Sequence, residues 1–411
     1  MNTLSYSSKN EKFCLELDRV RLLLEKAGNP DRDFGIIHIA GTNGKGSVCA
    51  FLEEGLTQAK IKCGRFSSPE LFSVEDTITI NKKPISKRCL QNLIKEIKPL
   101  CDETEKELGK APSPFEILFV AALVYFKKKK CKKVILECGM GGIGDATNAI
   151  LKSDIAVLTN IDLDHRGYLG KNIVEITRNK CGILREGQKV FSALQNETSE
   201  YIIVEECKKK NCYLGFVPPF EISGTDFLNA IVSTKFGKTK LSLAGVHQAQ
   251  NASVACEILR YLEVDENSIL SALSNAVNRA RLEKISDKIY FDGAHNPAGV
   301  KTLVESINLA NPGGKLIFAI GFMADKDIEG CLDELKNLKN KNFEIYTATV
   351  FSNPRAETSE NLVALAKKKG FKAKSLLNIS EAVAEAEKNA DTVFAFGSLY
   401  MYKELMTYEN R

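Results

Sequence analysis

The chain has no tryptophan, five methionines and only four histidines: His38, His165, His247 and His295. A metal centre built from three histidines is therefore hard to assemble. No CxxC pair occurs, and the twelve cysteines follow no repeated spacing, which excludes zinc-finger and zinc-ribbon modules. Most cysteines stand in apolar context, as do Cys49, Cys63, Cys138 and Cys256. They read as reduced thiols packed as small hydrophobes, in a cytoplasmic protein. No apolar run is long enough to span a bilayer. The longest, Phe115–Phe126, covers 12 residues and is interrupted by Glu116, against roughly 20 needed. The opening MNTLSYSSKNEKF has no apolar core, so no secretory signal is expected there. The net charge is only +5 over 411 residues, which gives no reason to expect nucleic acid or a membrane as partner.

What is present is ordinary globular material. Hydrophobic residues make up 44% and charged residues 27%, which excludes a disordered or fibrous chain. The length fits two or three domains. Ile36–Ala40 reads as a short buried strand that runs into the turn GTNGKG and then a helical pattern. Val134–Glu137 is a second strand, followed by CGMGGIGDATN, and Asp154–Thr159 is a third, followed by NIDLDHRG. Phe115–Phe126 reads as a buried helix, and Lys127–Lys130 as its solvated, dipole-complementing end. Strands alternating with helices predict a mostly parallel sheet, with ligands at the carboxyl ends of the strands.

From about Leu214 to Leu243 the texture changes to short strands, a small antiparallel subdomain, and a helix follows over Asn251–Leu262. A second α/β pattern begins after Ala276, with strands Lys288–Phe291, Lys315–Ile320, Phe343–Thr347 and Thr392–Phe396. The expected division is residues 1–277 and 278–411.

The segment Gly41–Ser47 reads GTNGKGS. A glycine turn between strand and helix aims backbone N–H groups at phosphate, and the helix N-terminus adds its positive end. Lys45 can reach terminal phosphates, and the Ser47 hydroxyl can face Mg²⁺. The common pattern GxxxxGK[ST] is not met, because Ile39 and Gly46 stand at two of its positions. Read as residues alone, other sites stay open. Glu137 is a metal ligand or a cap of the following turn. Ser68 is a ligand or a turn serine before Pro69. His165 is a ligand or a satisfied core group, and Phe115 is a substrate contact or core. His247, Gln248 and Asn251 form a ligand contact or a helix N-terminal network.

GTNGKGS after HIA resembles the phosphate loop of ATP-dependent amide ligases of the Mur ligase superfamily. The closest match is the folylpolyglutamate synthase/dihydrofolate synthase family. FSSPEL, ECGMGGIGDATN, NIDLDHRGYLG, RNKCGIL, LAGVHQAQNA, DGAHNPAG and GSLYM carry the likeness across nearly the whole chain. The resemblance implies an α/β fold. Its parts are an N-terminal P-loop-type domain with a mostly parallel sheet and a small antiparallel subdomain, and a C-terminal Rossmann-like α/β domain.

The resemblance also implies a reaction. ATP phosphorylates a substrate carboxylate, and the amine of L-glutamate attacks the acyl phosphate. The acceptor is dihydropteroate, a reduced folate, or both. Such chemistry joins several anions, so cations and positioning must carry it. The implied ATP contacts are Thr42, Asn43, Gly44, Lys45, Gly46, Ser47, Asn251, Arg281, Asp292 and His295. Mg²⁺ would be held by Ser68, Glu137 and His165, with Lys180 carried as a carbamate whose anion supports a second Mg²⁺. Lys45, Lys180 and His165 are the implied catalytic set. Phe115, Glu116 and Asp145 are implied near the acceptor. An ATP site shared by two domains would let closure exclude water. The family is usually monomeric.

The chain departs from the family pattern at Glu70 in SPEL, Thr77, Ile143 in GGIGDATN, and the NRARLE segment. These departures bear on the acceptor, so a divergent ligase acting on another carboxylate stays open. A phosphate-loop kinase or hydrolase is the reading from another class, as is a non-catalytic nucleotide-binding module.

Overall fold

The computed structural model describes residues 16–409. The opening MNTLSYSSKNEKF lies outside the described residues. The chain forms two compact units. One runs to Pro219 and takes in Gln250–Ala272; the other holds Phe220–Ala249 and Leu273 onward.

The first unit is built on an eight-stranded sheet. Its strands are β1 (Gly35–Ala40), β2 (Cys63–Phe66), β3 (Ile78–Ile80), β4 (Lys83–Pro84), β5 (Lys133–Glu137), β6 (Ile155–Leu158), β7 (Lys189–Ala193) and β8 (Tyr213–Val217), in the order β4-β3-β2-β5-β1-β6-β7-β8. The six strands from β2 to β8 across the sheet are parallel, and β3 and β4 add an antiparallel edge. The chain leaves β1 toward β2 on one side and later reaches β6 on the other. The carboxyl ends of β5, β1 and β6 therefore lie side by side, the place where open α/β sheets bind ligands.

These strands are short apolar runs because both faces are covered. Phe66, Phe119, Phe126 and Leu136 are sealed in one core, and Ala40, Leu158, Ile176 and Ile183 in another. Burying each large side chain contributes about 1.5–3 kcal/mol. The helix Pro114–Lys128 supplies much of the first core. Ser113 caps it, Pro114 opens it, and the lysines that end it are solvated, with Lys127 pairing with Asp33 and Lys128 with Glu96.

The second unit holds an antiparallel sheet, β9 (Glu221–Asp226), β10 (Asn229–Thr234) and β11 (Gly237–Lys240). Its larger sheet has β12 (Glu283–Lys284), β13 (Ile289–Asp292), β14 (Leu316–Ile320), β15 (Phe343–Thr349), β16 (Ala373–Asn378) and β17 (Thr392–Phe396), ordered β12-β13-β17-β14-β15-β16. All pairs are parallel except β12 with β13. The contiguous division at 277 and 278 differs from this grouping at residues 220–249 and, by a few residues, at 273–277. The antiparallel segment belongs to the second unit, because Leu228 and Ala244 are buried with Leu282, Val300 and Val304.

Candidate active site

The loop after β1 is shaped by contacts from β6 and its turn. The amides of Thr42 and Asn43 both donate to the Asn160 carbonyl, at 2.7 and 3.3 Å. The Thr42 hydroxyl bonds the backbone of Asp162, as donor to its carbonyl at 2.9 Å. These two residues brace the loop. Gly44, with φ +94°, then caps the helix Lys45–Gln58 in a conformation that side chains rarely adopt. The capping residue has no side chain and the first turn holds no acid, so the positive end of this helix suits an anion. A side chain at position 44 would also strike Asn251, whose Oδ1 stands 2.4 Å from where a Cβ would sit. Asn251 thus lies directly against the loop, and Gly46 and Ser47 open the helix beside it.

Two lysines enter the same place. Lys45 Nζ donates to the carbonyls of Gly41 at 2.9 Å and Thr42 at 3.3 Å. Lys180 Nζ donates to Gly41 at 2.8 Å from the end of the helix Ile173–Lys180. Lys180 is 3% exposed. Burial, and then the Lys45 charge, push its pKa down to about 7. It is therefore a partly neutral amine at physiological pH, which is the form that reacts with CO₂.

Glu137 ends β5, buried, in register with Ile39, one residue before the end of β1. Two residues on, Gly139 is the meeting point of three expected residues. A Cβ there would lie 3.2 Å from Phe115, 3.3 Å from Ser68 Oγ and 3.4 Å from Asp145 Oδ2. Asp145 is buried and its carboxylate organises its own turn, accepting from the amides of Met140 at 2.8 Å and Thr147 at 3.0 Å. Burial raises its pKa, while hydrogen bonds from Thr147 and Met140 oppose the rise. His165 follows β6 with φ +49° and is partly exposed, its Nε2 3.8 Å from Asp164 Oδ2. Among the described residues, no three His, Cys, Asp or Glu side chains converge as a ready cation site. Any Mg²⁺ here would rely on mixed oxygen donors and retained waters, a habit that suits this ion.

Glu116, expected near the acceptor, closes a helix cap. Its carboxylate accepts from the Ser113 amide at 2.6 Å in a capping box and pairs with Arg19 at 3.3 Å. The signature for this is in the sequence, as Ser113 and Glu116 stand three apart just before an apolar run.

In the second unit, Asp292 is held by its neighbours. Its two oxygens accept from the amides of Leu282 and Ala294, both at 2.7 Å. Burial raises its pKa and the Arg281 charge opposes that. Arg281 is flanked by Ala280 and Leu282, with φ +60° and +45°, a strained tight loop of the kind found at functional sites. His295 Nδ1–H donates to the Gly293 carbonyl at 2.8 Å. His247 carries a depressed pKa of about 4, through burial first and Arg281 second.

Residues 39–259 match the family model described as the Mur ligase middle domain, and residues 280–399 the Mur ligase, glutamate ligase domain. The dihydrofolate synthetase of Saccharomyces cerevisiae is 34% identical over 345 residues, covering 78% of each chain. This chain belongs to the folylpolyglutamate synthase/dihydrofolate synthase family of Mur ligases. It is an ATP-dependent ligase, and its α/β fold, with two mostly parallel sheets and a small antiparallel one, is the one expected. Among solved structures, it matches Escherichia coli FolC in complex with DHPP and ADP with a TM-score of 0.86 at 29% identity, covering 99% of this chain and 96% of that one. It matches a bifunctional folylpolyglutamate synthase/dihydrofolate synthase with Mn, AMPPNP and L-glutamate bound with a TM-score of 0.82 at 27% identity, covering 98% and 95%.

The hydrogen bonds around the site also bring in residues that the sequence did not point to. Asn160 takes two loop amides. Asn179, beside Lys180, accepts from the Gly142 amide at 3.0 Å. Gly142 itself sits 2.6 and 2.7 Å, measured from a Cβ position, from the carbonyls of Asn179 and Lys180. The glycines of GMGG were the available signal, since such runs mark close backbone approach. Of the departures from the family pattern, Ile143 is 54% exposed, whereas Thr77 is buried and bonds the Val74 carbonyl. Among the described residues, no helix is long and apolar enough to cross a membrane.

Proposed function

We propose that the protein adds L-glutamate to a pterin-bearing carboxylate, dihydropteroate or a reduced folate, through an acyl phosphate, with release of ADP and phosphate. The observation that carries this reading is the convergence of Lys45 and Lys180 on the Gly41 carbonyl, beside the helix N-terminus that Gly44 caps. A cationic cradle of that kind suits a reaction that drives a phosphoryl group onto an anion. Relatives solved with ADP, with AMPPNP and with L-glutamate support it.

In this reading, Lys45 turns from the Gly41 carbonyl to phosphate oxygen when ATP binds. The amides of Gly44, Lys45, Gly46 and Ser47 take phosphate oxygens at the helix start, while Thr42 and Asn43 keep the loop in shape. Asn251, packed on Gly44, contacts the adenine. Arg281 takes phosphate, with Asp292 at the ribose and His295 close to phosphate. Glu137 and Ser68 would hold one Mg²⁺. His165 and carbamylated Lys180 would hold a second. Bound Mg²⁺ would neutralise phosphate oxygens and the nucleophilic carboxylate. Lys180 fits its role because its amine is buried and readily neutral, and Glu137 fits because it is a buried carboxylate at a strand end. Phe115 and Asp145 line the acceptor side, and Glu116 supports it through the helix cap. The protein works as a monomer in the cytoplasm, a compartment that eleven free thiols among the described residues suit.

The test is ADP release by purified protein. Release should require both L-glutamate and a pterin acid. Equal release with either one omitted would favour a hydrolase instead, and a screen of dihydropteroate against reduced folates names the acceptor.

A further inference from the structure

We infer that His38 is a positioning residue for the acceptor side of the site. Its Nε2–H donates to Thr147, Thr147 in turn donates to Asp145, and the three together fix the turn over residues 139–147. The inference rests on the reading above in one respect, that this turn faces the acceptor.

His38 is fully buried on β1, two residues before the strand ends. Its Nε2 lies 2.8 Å from Thr147 Oγ1 and 3.2 Å from Cys138 Sγ. Thr147 Oγ1 lies 2.5 Å from Asp145 Oδ1. A hydroxyl has one hydrogen and a carboxylate has none. With the Thr147 hydrogen given to Asp145, the bond from His38 to Thr147 needs a hydrogen on Nε2. Nδ1 is then a bare lone pair, buried with no partner among the described residues. An orphaned acceptor is tolerated better than an orphaned N–H. The rival arrangement has a protonated Asp145 donating to Thr147 and Thr147 donating to Nε2. That arrangement, like one in which the Cys138 thiol donates to Nε2, puts the ring hydrogen on Nδ1, where no acceptor stands among the described residues. Burial keeps the ring neutral, with Arg185 as the charge that adds to this effect.

The relay has a mechanical consequence. Asp145 ties Met140 to Thr147, so its carboxylate closes the turn that brings Gly139 against Phe115 and Ser68. His38 is on the strand that opens the phosphate loop. One side chain therefore sets the acceptor turn against β1, which a residue acting only through its bulk would not do.

Two measurements decide this. In nitrogen-15 spectra of the full chain labelled at histidine, the His38 signals, identified by their loss in His38→Gln, should show a protonated Nε2 and a bare Nδ1. A proton on Nδ1 overturns the inference. In steady-state kinetics, Thr147→Val should raise the acceptor KM about tenfold, the scale of one charge-assisted hydrogen bond, and leave the KM for ATP within about twofold. Thr147→Ser should restore the acceptor KM. Equal effects on both KM values, or no effect, would overturn it. If the unaltered protein turned over no pterin acid at all, the functional reading would fail, while the spectra would still decide the tautomer.

Discussion

Lys45 and Lys180, distant in sequence, donate to one and the same oxygen, the Gly41 carbonyl, at 2.9 and 2.8 Å. Two ammonium groups on one acceptor repel each other. Burial first, and this repulsion second, lower the pKa of Lys180 to about 7.

That shift has a sign. Between about pH 7 and the ordinary lysine value of 10.5, the unfolded chain holds a proton on Lys180 that the folded chain releases. Stability due to this group therefore rises with pH across that window, and the full penalty applies below it. Urea unfolding in CO₂-free buffer at pH 7 and pH 9 checks this. The stability of the unaltered protein minus that of Lys180→Met should grow with pH. A constant difference would contradict the burial argument.

A neutral amine at that position should take up CO₂. Carbon-13 bicarbonate should give a carbamate signal that is absent from Lys180→Ala. That variant should lose most activity, at least about a hundredfold, the scale of losing a group that supports metal or charge in a transition state. Full activity in Lys180→Ala would end the carbamate proposal.

Asn251→Ala should raise the KM for ATP about tenfold, as one lost ligand hydrogen bond does. The Mg²⁺ requirement should stay unchanged. An unaltered ATP titration would refute the adenine assignment.

The β1, β5 and β6 turns were legible because each short apolar strand runs into a polar or glycine-rich turn along the chain. β17 was read at its observed bounds, Thr392–Phe396. The helix Lys87–Leu108 was not read from the sequence, and Pro99 lies inside it. The relay from His38 to Thr147 could not be read, since it joins residues 109 apart with no motif between them. The fall in the Lys180 pKa depends on burial and on Lys45, and neither is visible in RNKCGIL. The role of Glu116 was legible as a capping box, but the family resemblance drew attention to the acceptor instead.

Glu116→Ala should cost about 0.5–2 kcal/mol of stability, the range for a lost helix cap, with more from the unpaired Arg19. Glu116→Gln preserves the capping box and should keep the acceptor KM within about twofold. Thermal unfolding and acceptor titration separate the two roles. A large KM rise in the Gln variant would return Glu116 to direct substrate contact.

Gly142→Ala would press a methyl onto two backbone carbonyls that cannot rotate away, those of Asn179 and Lys180. The cost should be about 1–3 kcal/mol. Activity should fall further than thermal stability does, because the displaced segment carries Lys180. A variant with normal turnover and melting would show that the turn has slack.

The strands Glu221–Asp226, Asn229–Thr234 and Gly237–Lys240 are buried with residues that follow much later in the chain. A truncation ending near residue 277 would leave them without that cover. Leu228 and Ala244 would then face water, and the shortened protein should be sticky. Cutting before Phe220 and rejoining at Gln250 is the excision that respects how the polypeptide is sorted.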